Sequence, residues 1–147
     1  MTTVAANATT MAADTQLTGA YTARVQKLVS LPNGGIAGGC GVWSRAWRGL
    51  QWLAGGEEGE APSIKGADLL ILQPDGSLWV AEGCWPAYPL LDKTAAIGCG
   101  APMAMGLMAQ GKSPVEAVKE VCKLDAYTGD PVQALVLEPK PARRRKK

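Results

Sequence analysis

Residues 1–16, MTTVAANATTMAADTQ, decide how the chain is read. Residues 4–8 and 11–14 are small, apolar and compatible with β-structure, and Asn7-Ala8-Thr9 between them suits a tight turn. The chain therefore opens on a hairpin at its very N-terminus. Outward from it, residues 24–29 (RVQKLV) alternate polar and apolar side chains, Pro32-Asn33-Gly34-Gly35 forms a strong turn, and Ile36-Ala37-Gly38-Gly39 resumes the strand. This is a second hairpin, whose glycines imply close approach of another element or a ligand.

Along residues 42–53, Trp43, Ala46, Trp47, Leu50 and Leu53 recur at helical spacing, with Arg45, Arg48 and Gln51 off that face. A Gly/Glu linker over 55–62 follows, and Pro74-Asp75-Gly76 closes a third hairpin between 67–73 and 77–81. Residues 95–98 read as a short buried strand leading into a helix over 102–109. Ser113 then caps a helix from Pro114 to about Leu124, and 132–137 is the last strand. Consecutive hairpins predict antiparallel sheets, and helices arriving in separate groups predict that each of two sheets is covered by helices. The order fits an α+β four-layer αββα sandwich of two antiparallel sheets; pattern alone also admits a two-layer α+β fold.

The 147 residues suit one domain, placed over 1–140, with a basic tail over 141–147. There is no Phe, so Leu, Val, Ala, Met and Trp must fill the core. There is no His either, which excludes a Ser-His-Asp triad, a Cys-His dyad and a His-ligated zinc site. The four cysteines, Cys40, Cys84, Cys99 and Cys122, show no C-x-x-C pairing and read as free thiols. No run reaches the length of a membrane span and the N-terminus lacks a signal-peptide pattern, so a cytoplasmic location is expected, in a host cell or virion if the chain is virus-encoded.

Three stretches carry a family resemblance. Met1-Thr2-Thr3-Val4 with Ala12-Ala13-Asp14-Thr15-Gln16, then Ala95-Ala96-Ile97-Gly98-Cys99-Gly100 before an Ala/Met-rich helix, then Asp125-Ala126-Tyr127-Thr128-Gly129 occur in that order. Together they resemble the Ntn-hydrolase superfamily, in particular proteasome β-subunits and the bacterial peptidase HslV. The resemblance implies the Ntn-hydrolase αββα fold and a threonine endopeptidase whose nucleophile is Thr2 once Met1 is removed. It places Asp14 as the charged neighbour, Arg24 as the basic strand residue by the pattern Arg-Val-x-x-Leu, with Lys27 three residues along, and Cys99, Asp125 and Thr128 around the nucleophile. Arg24 is thereby expected to pair with Asp14. Two departures stand out: Arg where the family keeps Lys, which holds its proton throughout, and Cys99 where it keeps Ser, a poorer hydrogen-bonding group.

An N-terminal Thr supplies nucleophile and base on one residue, because the free α-amine, with an ordinary pKa near ~8, accepts the hydroxyl proton. A backbone amide within Gly38, Gly39, Cys40 and Gly41 is the expected oxyanion donor, and no cofactor or metal is expected. The alternative is an Ntn-fold subunit kept for its shape, a structural or assembly component, as of a viral particle. Trp43, Trp47, Trp52 and Trp79 read as core or subunit contact; Trp43 and Trp47 on the apolar face of 42–53 are hard to bury completely in a domain this small, which predicts a homo-oligomer or a larger symmetric assembly, with an unfoldase partner if the site is active. Arg143, Arg144, Arg145, Lys146 and Lys147 offer contact to nucleic acid or an acidic partner.

Overall fold

The computed structural model describes residues 2–139; the basic tail at Arg143, Arg144, Arg145, Lys146 and Lys147, and the boundary drawn before it, lie outside the described residues. The N-terminal hairpin forms as β1 (Thr3–Ala6) and β2 (Thr10–Ala13). Its turn is closed by Asn7, whose side-chain oxygen accepts the backbone N–H of Thr9 and of Thr10, both at 2.9 Å. β10 (Ala95–Gly98) and β11 (Gln133–Val136) flank the hairpin, giving a four-stranded antiparallel sheet in the order β10-β1-β2-β11.

The second sheet has five antiparallel strands in sequential order: β5 (Leu28–Ser30), β6 (Ile36–Gly41), β7 (Ala67–Leu72), β8 (Leu78–Glu82) and β9 (Tyr88–Pro89). Strand alternation sorts their side chains into separate layers. Val4, Ala6, Met11 and Ala13 meet Leu28, Ile36, Leu70, Leu72, Leu78 and Val80 between the sheets. Ala5 and Ala12 face the other way, against α2 (Ala101–Ala109) and α3 (Pro114–Leu124). Ala37, Leu69, Ile71 and Ala81 pack on α1 (Trp43–Ala54). Two sheets thus lie face to face with helices outside each, and the two-layer alternative is excluded.

Small residues make this stacking possible. A Cβ on Gly38 would come within 2.8 Å of Leu28 and 2.9 Å of Val4 on the opposing sheet, and one on Gly39 within 3.0 Å of Leu69 and 3.2 Å of Ala46. The two glycines are therefore needed for layer packing, whatever else they do. Helix α3 begins as its sequence predicts, with Ser113 Oγ accepting the Glu116 N–H at 3.1 Å and Pro114 at the first helical position. Among the described residues, no helix is long and apolar enough to cross a membrane.

The strand predicted over 24–29 does not form as one piece. The chain instead makes β3 (Gln16–Thr18) and β4 (Thr22–Arg24), a separate two-stranded ribbon, and enters the five-stranded sheet only at Leu28. Between them the backbone is held by other partners: Val25 N–H donates to Thr15 O at 2.8 Å, and Lys27 N–H donates to the side-chain oxygen of Gln133 at 3.1 Å. This break decides which basic residue turns inward.

Candidate active site

β1, β2, the segment ahead of β5 and the loop after α3 converge on Thr2. That residue is 3% exposed, and Thr3, Asp14 and Lys27 are each 0% exposed. The Lys27 ammonium donates to Thr2 Oγ1 at 2.8 Å, to Asp14 Oδ1 at 2.9 Å and to the Gln16 carbonyl at 2.6 Å. Three acceptors match the three N–H donors of a charged lysine. Burial lowers the Lys27 pKa below its ordinary 10.5, and the Asp14 carboxylate opposes that shift.

Asp14 is fully engaged as well. Besides Lys27, it accepts the backbone N–H of Thr3 at 3.1 Å, of Gln16 at 3.2 Å and of Gly129 at 3.1 Å. One carboxylate therefore ties the first strand, the start of β3 and the loop after α3 around the lysine. Its charge is compensated by one cation and three amides, the condition under which a buried ion is tolerated.

The expected pairing of Arg24 with Asp14 is corrected here: Arg24 is exposed, and its guanidinium donates to the neighbouring Ala23 carbonyl at 3.3 Å. Two physical reasons combine. Arg24 lies in the β3–β4 ribbon opposite Gln16, outside the sheet that carries the site. The inward slot also offers three acceptors around a point, where the five-donor planar fork of arginine would leave N–H groups buried and unpaired.

Cys99, Asp125 and Thr128 form a second cluster against the same strand. Thr128 Oγ1 donates to Asp125 Oδ2 at 2.7 Å, and Cys99 Sγ donates to the same oxygen at 3.0 Å. Because the Thr128 proton goes to the carboxylate, the 2.8 Å contact between Thr3 Oγ1 and Thr128 Oγ1 has Thr3 as donor. Cys99 also lies 3.6 Å from the Thr2 carbonyl. The cluster thus grips residues 2 and 3 through Thr3 Oγ1 and the Thr2 backbone. Gly98 makes room for this, with φ +96° and a backbone so close to the Thr2 carbonyl that any Cβ would collide with it.

Protonation narrows the choice of nucleophile. Burial pushes the Cys40 thiol up to about 12, and burial together with the Asp125 carboxylate raises Cys99, so both stay protonated at neutral pH. Asp125 moves the other way: burial would raise its pKa, but hydrogen bonds from Cys99, Thr128 and the Tyr127 amide outweigh it and hold the carboxyl below its ordinary 3.8. Its unfolded pKa therefore exceeds its folded one, so these contacts contribute stability that is complete above about pH 3.8 and is lost as pH falls through the lower folded value. Asp125→Asn is expected to flatten the stability-versus-pH curve in that acid window. Urea titrations of both proteins across it check this, and an unchanged slope would contradict the assignment.

Of the glycine-rich segment, Gly39 N–H is already committed to the Lys27 carbonyl at 3.3 Å. Antiparallel alternation sends the Gly41 amide to the same side of β6, one step beyond Lys27, where β5 has not yet begun to pair. Gly41 has φ +90°, and a Cβ there would strike the Gly66 carbonyl. An apolar hollow of about 240 Å³ between Val25, Gln26, Trp43 and Trp47 adjoins this end of β6 in sequence.

Sequence reasoning did not assign Gln133, whose side chain accepts from Lys27 N–H and donates to the Asp14 carbonyl at 3.0 Å. Nothing in a lone Gln on a short strand signals such a bridge. Lys27 carried a signal, a single cation directly before the apolar pair Leu28-Val29.

No protein-family model and no curated protein matches the sequence. Solved structures do match in fold. HslV from Trypanosoma brucei superimposes with a TM-score of 0.70 at 17% identity, covering 94% of this chain and 99% of that one. Thiobacillus denitrificans BPH matches with a TM-score of 0.64 at 17% identity, over 94% of this chain and 98% of that one; its complex with epoxomicin gives the same score and identity over 99% of that chain. The fold is therefore the Ntn-hydrolase fold of HslV-like peptidases.

Proposed function

We propose that this chain is a threonine-type endopeptidase subunit in which Thr2, freed by removal of Met1, is the nucleophile. The observation that carries the reading is the buried Lys27 ammonium 2.8 Å from Thr2 Oγ1, fixed by Asp14. A protein kept only for its shape has no need of a buried cation aimed at a hydroxyl, since burying charge is costly. In the proposed reaction the Thr2 α-amine takes the hydroxyl proton as Oγ1 attacks the scissile carbonyl. Lys27 stabilises the negative charge gathering on Oγ1 and, without exchanging its own proton, keeps the α-amine as the base. The Gly41 amide is suited to hold the oxyanion. The amine then protonates the leaving peptide nitrogen, and water hydrolyses the ester left on Thr2.

The hollow between Val25, Gln26, Trp43 and Trp47 fits an apolar side chain ahead of the cleaved bond. Exposed apolar residues, with Leu91 at 99%, Tyr21 at 79% and Val136 at 64%, support association into a homo-oligomer. An unfoldase partner would be needed if that oligomer encloses its sites.

The test combines intact mass, peptide hydrolysis and light scattering on the native protein. Loss of Met1, hydrolysis of apolar peptide substrates and a mass of several chains are expected. Epoxomicin, the compound bound by Thiobacillus denitrificans BPH, should add its mass to the N-terminal peptide. Retained Met1 with no hydrolysis would overturn the peptidase reading and leave a structural subunit, and a monomer at micromolar concentration would overturn the assembly.

A further inference from the structure

The outer face of the five-stranded sheet carries a groove beside the C-terminal end of α1. One hollow of about 360 Å³ is lined by Trp52, Trp79 and Trp85 with Leu53 and Ile71, and Glu57 stands on its rim. A second, of about 330 Å³, shares Leu53, Glu57, Ile71 and Gln73 with it and extends to Leu31, Pro32 and Asn33. The indole N–H groups are already used: Trp52 donates to Gly59 O at 3.4 Å, Trp85 to Pro62 O at 2.9 Å and Trp79 to Ser77 Oγ at 3.1 Å. What the groove offers a ligand is therefore aromatic surface and carboxylate. Glu57, Glu58 and Glu60 are all exposed, Glu57 with φ 61°, and no ion pair engages any of the three among the described residues.

The described chain ends at the same place. Leu137, Glu138 and Pro139 line a third hollow of about 540 Å³ that shares Leu31, Pro32 and Asn33 with the second, so a continuous path runs from Pro139 to Glu57. Residues 140–147 follow, carrying six of the chain's 15 basic residues and leaving nine against 13 acids in the rest. Fully extended, eight residues reach at most ~26–29 Å.

We infer that residues 140–147 dock in cis along this groove, their basic side chains pairing with Glu57, Glu58 and Glu60 and stacking on the tryptophans. Arginine suits both demands, because its guanidinium bonds a carboxylate while lying on an aromatic face. Lysine amines at Lys140, Lys146 and Lys147 supply further charge, and pairing of this exposed kind weakens with salt. The basic tail's partner is then an acidic surface of its own chain rather than nucleic acid.

Zero-length carbodiimide coupling of the full chain, mapped by mass spectrometry, tests this. Links are expected from Lys140, Lys146 or Lys147 to Glu57, Glu58 or Glu60, to fall within single chains when labelled and unlabelled protein are mixed, and to be lost in molar salt. Neutralising the tail with Arg143→Gln, Arg144→Gln and Arg145→Gln is expected to increase acrylamide quenching of the tryptophan emission. Links between labelled and unlabelled chains would give the groove to a second copy's tail and overturn docking in cis. Tail links confined to other carboxylates, or quenching unchanged by the neutralised tail, would overturn it equally.

Discussion

Thr2→Ala is expected to abolish peptide hydrolysis, a loss on the order of 10⁴ to 10⁶ in rate, while the protein still folds. The substitution removes the one hydroxyl that, among the described residues, bonds Lys27 Nζ. Cys99, whose sulfur lies 3.6 Å from the Thr2 carbonyl, stays protonated and donates to Asp125. The structural effect is modest by comparison: one N–H of Lys27 loses its acceptor, a cost of roughly 1–3 kcal/mol, while the Asp14 and Gln16 contacts remain. Thr2→Ser keeps hydroxyl and amine and is expected to retain activity. Kinetic assays beside thermal melts of the three proteins decide the matter. Hydrolysis that persists in Thr2→Ala would end the N-terminal nucleophile proposal.

Lys27→Met is expected to damage fold and activity together. Methionine matches the lysine in length and fills the space, but the Asp14 carboxylate then sits at 0% exposure without its cation. Breaking one side of a buried ion pair costs about 3–5 kcal/mol, a large part of the stability of a domain this size. Adding Asp14→Asn should recover part of that loss, because no uncompensated charge then remains, and the double-mutant cycle measures the coupling. Neither variant should hydrolyse peptide, since the positive charge at Thr2 Oγ1 is gone. Lys27→Arg separates the two effects: charge is kept, but five donors meet three acceptors, so stability should fall less than in Lys27→Met with hydrolysis still impaired. Chemical denaturation of these variants is the measurement, and a Lys27→Met protein as stable as the parent would refute this account of the pair.

Much of the fold was legible in local sequence. The Asn7 turn, the amphipathic run from Trp43 to Leu53 and the Ser113-Pro114 helix start are patterns whose physics is complete within a few residues, and each formed at its expected place. The break at 25–27 was not legible. Periodicity through RVQKLV is that of a strand, and what interrupts it is the Gln133 side chain, 106 residues from Lys27, taking the hydrogen bond that a ladder would have used.

The sequence by itself determined which faces of the strands and of α1 and α3 must be covered, through strand alternation and helix amphipathicity; the choice of four layers over two was made only by how the two sheets stack. It also narrowed the chemical repertoire: without His, any acid–base chemistry falls to lysine, carboxylate, cysteine, tyrosine or an α-amine. Only the tertiary structure decided which cation does the work. Arg24 and Lys27 are three residues apart and equally charged, and the position of Lys27 before Leu28-Val29 does not say which of the two meets Thr2. The choice is made where Thr2, Asp14 and Gln16 present three acceptors around one buried point, and only the three-donor ammonium of Lys27 satisfies that geometry without leaving a polar group unpaired.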